Sequence, residues 1–167
     1  MLISRMLRVL KLDSQVFEEV EHDQTAMGQA ITVVVIASLC SGIGALFGDG
    51  GLMAVIITIV ASLVGWAVWS FLSFFIGTKL FGGKADMGEM LRVLGFAYTP
   101  ACLSIIPIIG GLIGMIWMIV AAVIAIRQGL DISTGKAVGV AILALIGYIM
   151  IQAVFVMFGL GALIAAS

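Results

Sequence analysis

Apolar residues fall along this chain in two patterns. Over residues 2–12, LISRMLRVLKL, they recur at helical spacing: Leu2, Ile3, Met6, Leu7, Val9 and Leu10 share one arc, and Ser4, Arg5, Arg8 and Lys11 share the other. This predicts a basic amphipathic helix lying in a membrane interface, with Arg5, Arg8 and Lys11 toward anionic headgroups. Beyond residue 27 the pattern changes to long apolar runs, most of them near or above the roughly 20 residues that one bilayer crossing needs. Spans are expected at roughly 28–47, 52–80, 93–107, 110–127 and 137–164. The predicted fold is all-α: a polytopic membrane protein of five transmembrane helices with an N-terminal amphipathic interfacial helix. Residues 1–27 form its cytoplasmic segment and residues 28–167 its membrane domain.

Polar residues punctuate these runs. Asp13 or Ser14 can cap a short helix, SQVFEEVEHD, whose Glu18, Glu19, Glu21, His22 and Asp23 make an acidic patch. Glu18, His22 and Asp23 are weak metal candidates, with Glu18 and His22 one helical turn apart. His22 is the only histidine, so the patch reads as a solvated face and no metal or other cofactor is expected. Thr25 or Asp23 caps the first span, and a glycine-rich turn around Asp49, with Gly44 and Gly48 at GxxxG spacing, ends it. In the second span Thr58, Ser62, Gly65, Trp69 and Ser73 mark a small, polar face, and Trp66 and Trp69 fall near its midpoint, which predicts burial among helices. Asp86 and Glu89 have the spacing of a capping box, so a helix starts near Met87, rides the interface and then enters the membrane.

The stretch GFAYTPACLSIIPIIGGLIG, residues 95–114, holds both prolines of the chain. Each removes a backbone donor and disfavours helical angles in the residue before it, so the third span is short and interrupted at Pro100. Gly95, Pro100, Pro107, Gly110, Gly111 and Gly114 are expected to form a packing centre with room to flex. Ser62, Tyr98, Ser104, Tyr148 and Gln152 are the candidate polar cluster at depth, Gln152 turning inward to Tyr98, Ser62 or Ser104 because an amide facing lipid is costly.

Composition settles the solvent. With 63% apolar and 10% charged residues and a mean hydropathy of +1.30, the chain carries more apolar surface than a soluble core of its size could bury. A net charge of −1 without a basic stripe argues against nucleic acid. Cys40 and Cys102 read as small hydrophobes. No secretory leader is expected, and the absence of asparagine together with short loops points to a prokaryotic cytoplasmic membrane. All eight Lys and Arg fall before span one, at or between the facing ends of spans two and three, or at or between those of spans four and five. By the positive-inside rule this places the N-terminus in the cytoplasm and the C-terminus outside. No charge lies at depth and no nucleophile has a base beside it, so an enzyme is not expected. The STGK stretch before Ala137 is no phosphate loop, since Leu130 stands where the motif needs glycine and Ala137 where it needs Ser or Thr.

Several motifs resemble those of one family. Gly82-Gly83, the amphipathic MGEMLRV, Gly95-Phe96-Ala97-Tyr98-Thr99-Pro100, the apolar run to Ile108-Ile109-Gly110, and Gly129-Leu130-Asp131-Ile132-Ser133-Thr134-Gly135-Lys136-Ala137 closely resemble, in order and spacing, the Yip domain family, the Ypt-interacting proteins. The resemblance covers roughly residues 70–150 and, less distinctly, the whole chain. It implies a five-span protein that associates with other membrane proteins and with itself. The long cytosolic N-terminal region of the eukaryotic members, which bind lipidated small GTPases, has no counterpart here, which counts against GTPase binding. The expected function is that of a non-catalytic membrane scaffold, adaptor or organising factor whose partners are the bilayer, its own copies or other membrane proteins. The alternative is a small transporter, channel or lipid-moving protein with a polar path between the broken third span and spans two and five.

Overall fold

The computed structural model describes residues 2–46, 51–106 and 109–166, with side chains for 2–42, 51–106 and 109–157. The turn around Asp49, the Gly44–Gly48 pair and Pro107 fall outside the described side chains. In order the elements are α1 (Leu2–Leu10), α2 (Ser14–His22), α3 (Ala26–Leu46), α4 (Gly51–Leu80), α5 (Met87–Ala97), a 3-10 helix (Thr99–Ile105), α6 (Gly110–Gly129) and α7 (Thr134–Ala166). Among the described residues, α4, α6 and the Thr134–Met157 part of α7 are long and apolar enough to cross a membrane; the apolar part of α3, Ala26–Gly42, is shorter. Their outward faces are mostly apolar, with Leu52, Ile57, Leu112, Ile119, Ile142 and Phe155 all exposed, which suits lipid rather than water as the surrounding medium.

Two of the caps read from the sequence, those of α2 and α5, are in place. Asp13 accepts from the Gln15 amide at 2.9 Å and opens α2. Asp86 and Glu89 form a complete capping box: the Glu89 amide donates to the Asp86 carboxylate at 2.8 Å, and the Asp86 amide donates to the Glu89 carboxylate at 2.7 Å. Asp86→Ala removes the side-chain acceptor of the Glu89 amide and leaves that first-turn donor of α5 without a side-chain partner. It is expected to lower stability by about 1 kcal/mol, read as a fall in the thermal midpoint in detergent that Asp86→Ser largely avoids.

α5 is the centre of the bundle. It packs against α2, α3, α4 and α6, and Met90, Val93, Leu94, Phe96 and Ala97 are all buried. Backbones come close at Gly95, where an added Cβ would stand 2.7 Å from the Ala30 Cβ of α3. Trp66 of α4 is buried, as expected, and donates its indole N–H to the Leu91 carbonyl at 3.1 Å.

The third apolar stretch is not a continuous helix over 93–107. α-Helix runs only to Ala97, and a 3-10 helix of 7 residues follows from Thr99. The cause is Pro100. As residue i it cannot donate to the carbonyl of Phe96 at i−4, and that carbonyl instead accepts the Thr99 hydroxyl at 2.7 Å. Pro100 then sits in the first turn of the 3-10 helix, where a missing N–H is harmless. Ser104 donates to the Ala101 carbonyl at 2.6 Å, satisfying another acceptor within the segment. Irregular backbone of this kind is tolerated in a membrane protein when protein covers it, and α3 and α6 flank it here.

α1 also differs from its expectation. Its cationic face closes on the protein: Arg5 reaches Asp23 at 2.8 Å and Gln29 at 3.1 Å, and Arg8 reaches Asp13 at 2.7 Å and Glu19 at 2.6 Å. The turn at Leu12 (φ 57°) folds α1 back along α2 and brings these carboxylates within reach of the two arginines. Ile3 and Leu7 are left outward, and Lys11 is exposed. Trp117 of α6 donates its indole N–H to the Leu10 carbonyl at 2.9 Å and ties down the end of α1.

Candidate functional site

Two places in the molecule carry more than packing. The first is a cleft of about 500 Å³ between α4, α5, α6 and α7, walled by Leu94, Met118, Ala122, Val123, Ala141 and Leu145 among others. Small residues create it: Gly65, Ala97, Ala122 and Ala141 line it without filling it. Two tyrosines line it, Tyr98 at the end of α5 and Tyr148 on α7, with Trp69 edge-on to Tyr148 at a ring separation of 6.1 Å. No charged side chain lines it.

A second groove of about 500 Å³ runs along the outer side of α4 and α7, past Val60, Val64, Ile151, Gln152 and Phe155. Gly65 and Tyr148 line both spaces. The Tyr148 hydroxyl lies over Gly65 so closely that a Cβ there would be 2.8 Å away. Tyr148 is thus the partition between cleft and groove.

The candidate polar cluster is therefore split. Tyr98 and Tyr148 share the cleft. Gln152 does not turn inward to Tyr98, Ser62 or Ser104: it lies exposed on α7 and donates to the Tyr148 hydroxyl at 3.1 Å, one turn back on its own helix. That bond gives one amide N–H a partner without burial. Ser104 pairs instead with Ser41 of α3 at 3.0 Å, and Ser62 lies half-buried on α4 outside both spaces. Trp69 and Gly65 belong to the cleft and could be found in the sequence only as parts of the small face of span two.

Of the packing residues, Gly110 and Gly114 support the 3-10 helix. A Cβ on Gly110 would stand 2.1 Å from the Leu103 carbonyl oxygen, and one on Gly114 would stand 2.8 Å from that of Pro100. Gly111 faces open space.

The second place is the basic end of the bundle, where the segments carrying the eight Lys and Arg meet. Lys136 donates to the Phe81 carbonyl at 3.1 Å, the Lys84 amide to the Leu130 carbonyl at 2.9 Å, and Gln128 to Glu18 at 2.8 Å. Arg92 is buried, with 7% of its surface exposed, and its Nε donates to the carbonyls of Val20 at 2.9 Å and Glu21 at 3.1 Å, with a second bond from Nη2 to Glu21. The acidic patch of α2 divides into two. Glu19 and Asp23 are taken by Arg8 and Arg5, while Glu18, Glu21 and His22 face the other way, with ligand atoms within 4.8 Å of one another. Asp23 thus leaves the group of metal candidates and Glu21 enters it, because Asp23 ends α2 in extended backbone and swings off the helical face. Burial, with the charge of Glu18 next in weight, pushes the Glu21 carboxyl up to about 7.

These features define the class: an all-helical integral membrane protein with a lateral apolar cleft. The model of the Yip1 domain matches residues 7–164, nearly the whole chain, and the chain belongs to that family. No curated protein and no solved structure matches it significantly.

Proposed function

We propose that this Yip1-domain protein is a non-catalytic, five-span membrane protein that works by association within the bilayer, as a scaffold or organising factor. The observation that carries this reading is the cleft between α4, α5, α6 and α7: its mostly apolar lining, with the phenols of Tyr98 and Tyr148, suits an acyl chain or an apolar helix segment. In this reading α3, α4, α6 and α7 cross the bilayer, and α5 with the 3-10 helix makes the remaining, broken crossing. The basic end faces the cytoplasm, a reading supported by the grouping of Lys and Arg under the positive-inside rule. α1 lies at that surface with Ile3 and Leu7 toward lipid, and the membrane is a prokaryotic cytoplasmic one. Copies of the chain or other membrane proteins are its partners.

Ala122→Phe places a ring in the cleft and is expected to lower capture of a photoactivatable phospholipid or of a partner helix several-fold in nanodiscs while leaving the helical CD signal intact. Equal capture by both proteins would sink the reading.

A lipid-moving or solute-moving role is the second reading, favoured by one feature: only Tyr148, lying over Gly65, separates the cleft from the groove that holds Gln152. On that reading Tyr148→Ala raises lipid scrambling or solute flux in liposomes and Gln152→Leu lowers it. Rates unchanged in both variants would remove it.

A further inference from the structure

Glu21 poses a problem that neither the fold nor the cleft resolves. Its residue surface is only 5% exposed, and its Oε2 is buried with no hydrogen-bond partner. The Arg92 guanidinium, which bonds the Glu21 main chain, does not pair with this carboxylate; it is spent on the main-chain carbonyls of Val20 and Glu21. The other charges bearing on Glu21 are mostly of its own sign: Glu18 on the same helix, Asp131 from the turn between α6 and α7, and Glu89 at the start of α5, with His22 the one counter-charge. A buried carboxylate so placed requires a proton or a cation.

The surroundings are built for a cation. Glu18, Glu21 and His22 stand at i, i+3 and i+4 on one face of α2, so one turn of helix presents two carboxylates and an imidazole together. His22 Nδ1 lies 3.0 Å from the Glu18 carbonyl. Donation there fixes the tautomer and leaves Nε2 with its lone pair outward, as in metal-bound histidines. Gln128 of α6 donates to Glu18 Oε2 at 2.8 Å and orients that carboxylate, while Arg92 holds the last turn of α2 through its carbonyls. Ligand atoms within 4.8 Å of one another can close on one ion with small side-chain rotations.

We infer that Glu18, Glu21 and His22 form a site for one divalent transition-metal ion, Zn²⁺ or Mn²⁺, at the junction of α2, α5 and α6. A mixed carboxylate and imidazole set matches these ions and offers little to Cu⁺, which prefers sulfur. The ion neutralises the Glu21 carboxylate and fastens α2 to the bundle. The site is independent of what the cleft binds.

The test uses the full chain in nanodiscs, stripped with chelator and titrated with ZnCl₂ by calorimetry and with MnCl₂ by electron paramagnetic resonance. Uptake of one equivalent is expected, with affinity for the ion falling at least about tenfold in Glu21→Gln and in His22→Gln and unchanged in Glu19→Gln, whose carboxylate belongs to Arg8. His22 is exposed and Glu21→Gln nearly isosteric, so both variants keep the fold, which far-UV CD verifies. Because His22 is the only histidine, its imidazole NMR signals report on the site alone, and they are expected to shift with the first equivalent of Zn²⁺. Absence of saturable uptake by the stripped protein, an unmoved His22 signal, or equal affinity in all variants would overturn the assignment, leaving a proton as the partner of Glu21.

Discussion

Replacing Gly110 or Gly114 with valine is expected to lower stability by about 3 kcal/mol each and to release the 3-10 helix from α6. The obstacle in each case is a main-chain carbonyl, of Leu103 or of Pro100, standing 2.1 or 2.8 Å from where the new Cβ must go. A side-chain neighbour could rotate away. A carbonyl inside a 3-10 helix pinned by Pro100 and by the Thr99 and Ser104 hydroxyls can move only with its whole segment. That segment leads directly from Tyr98, so the damage extends to the cleft. Gly111, which meets nothing within 4 Å, supplies the control: Gly111→Ala is expected to be neutral or to gain about 0.5 kcal/mol through helix propensity. Thermal midpoints in detergent, with protection of the Thr99–Ile105 amides by hydrogen exchange, separate the three variants. If Gly114→Val melted with Gly111→Ala, the packing argument would be wrong.

Loss of Arg92 comes next in size. Arg92→Met keeps the aliphatic stem buried but removes the guanidinium bonds to the last carbonyls of α2, which have no other partners among the described contacts. Charged hydrogen bonds in buried surroundings contribute roughly 1.5–3 kcal/mol each, so about 3 kcal/mol of the docking of α2 is at stake. Because the effect is local, α1 and α2 are expected to become open to protease while α4, α6 and α7 remain protected. Arg92→Lys restores one donor and should recover part of the loss. A protease pattern identical to that of the unsubstituted protein would show that α2 is held by its apolar face alone, through Val16, Phe17 and Val20.

Helix positions, their caps and the membrane as solvent were legible in the residues themselves, because they depend on local pattern. Asp13, Asp86 and Glu89 act on amides two or three residues away, and a long apolar run such as α4 has one stable environment whatever its neighbours. The third apolar stretch was less legible: Pro100 signalled a break, but only the packing of its segment between α3 and α6 turned that break into a 3-10 helix.

The sites divide along the same line. Arg92 counts as one more cation near a loop when read from the sequence, and Glu21 as one of several acids on a solvated helix. Both are buried because α2 docks on α5, so that Arg92 meets carbonyls 71 and 72 residues away. Gln152 errs in the other direction, since a polar side chain at depth suggests an inward partner and a hydroxyl on the same helix satisfied it. By itself, then, the sequence determined the medium, the helices, their ends and the family, all properties of short windows of chain. Only the tertiary structure decided which charges are neutralised, which hydroxyls share a cavity and which glycines admit no side chain. Those outcomes depend on what is brought alongside each residue from far along the chain, and no local pattern carries that.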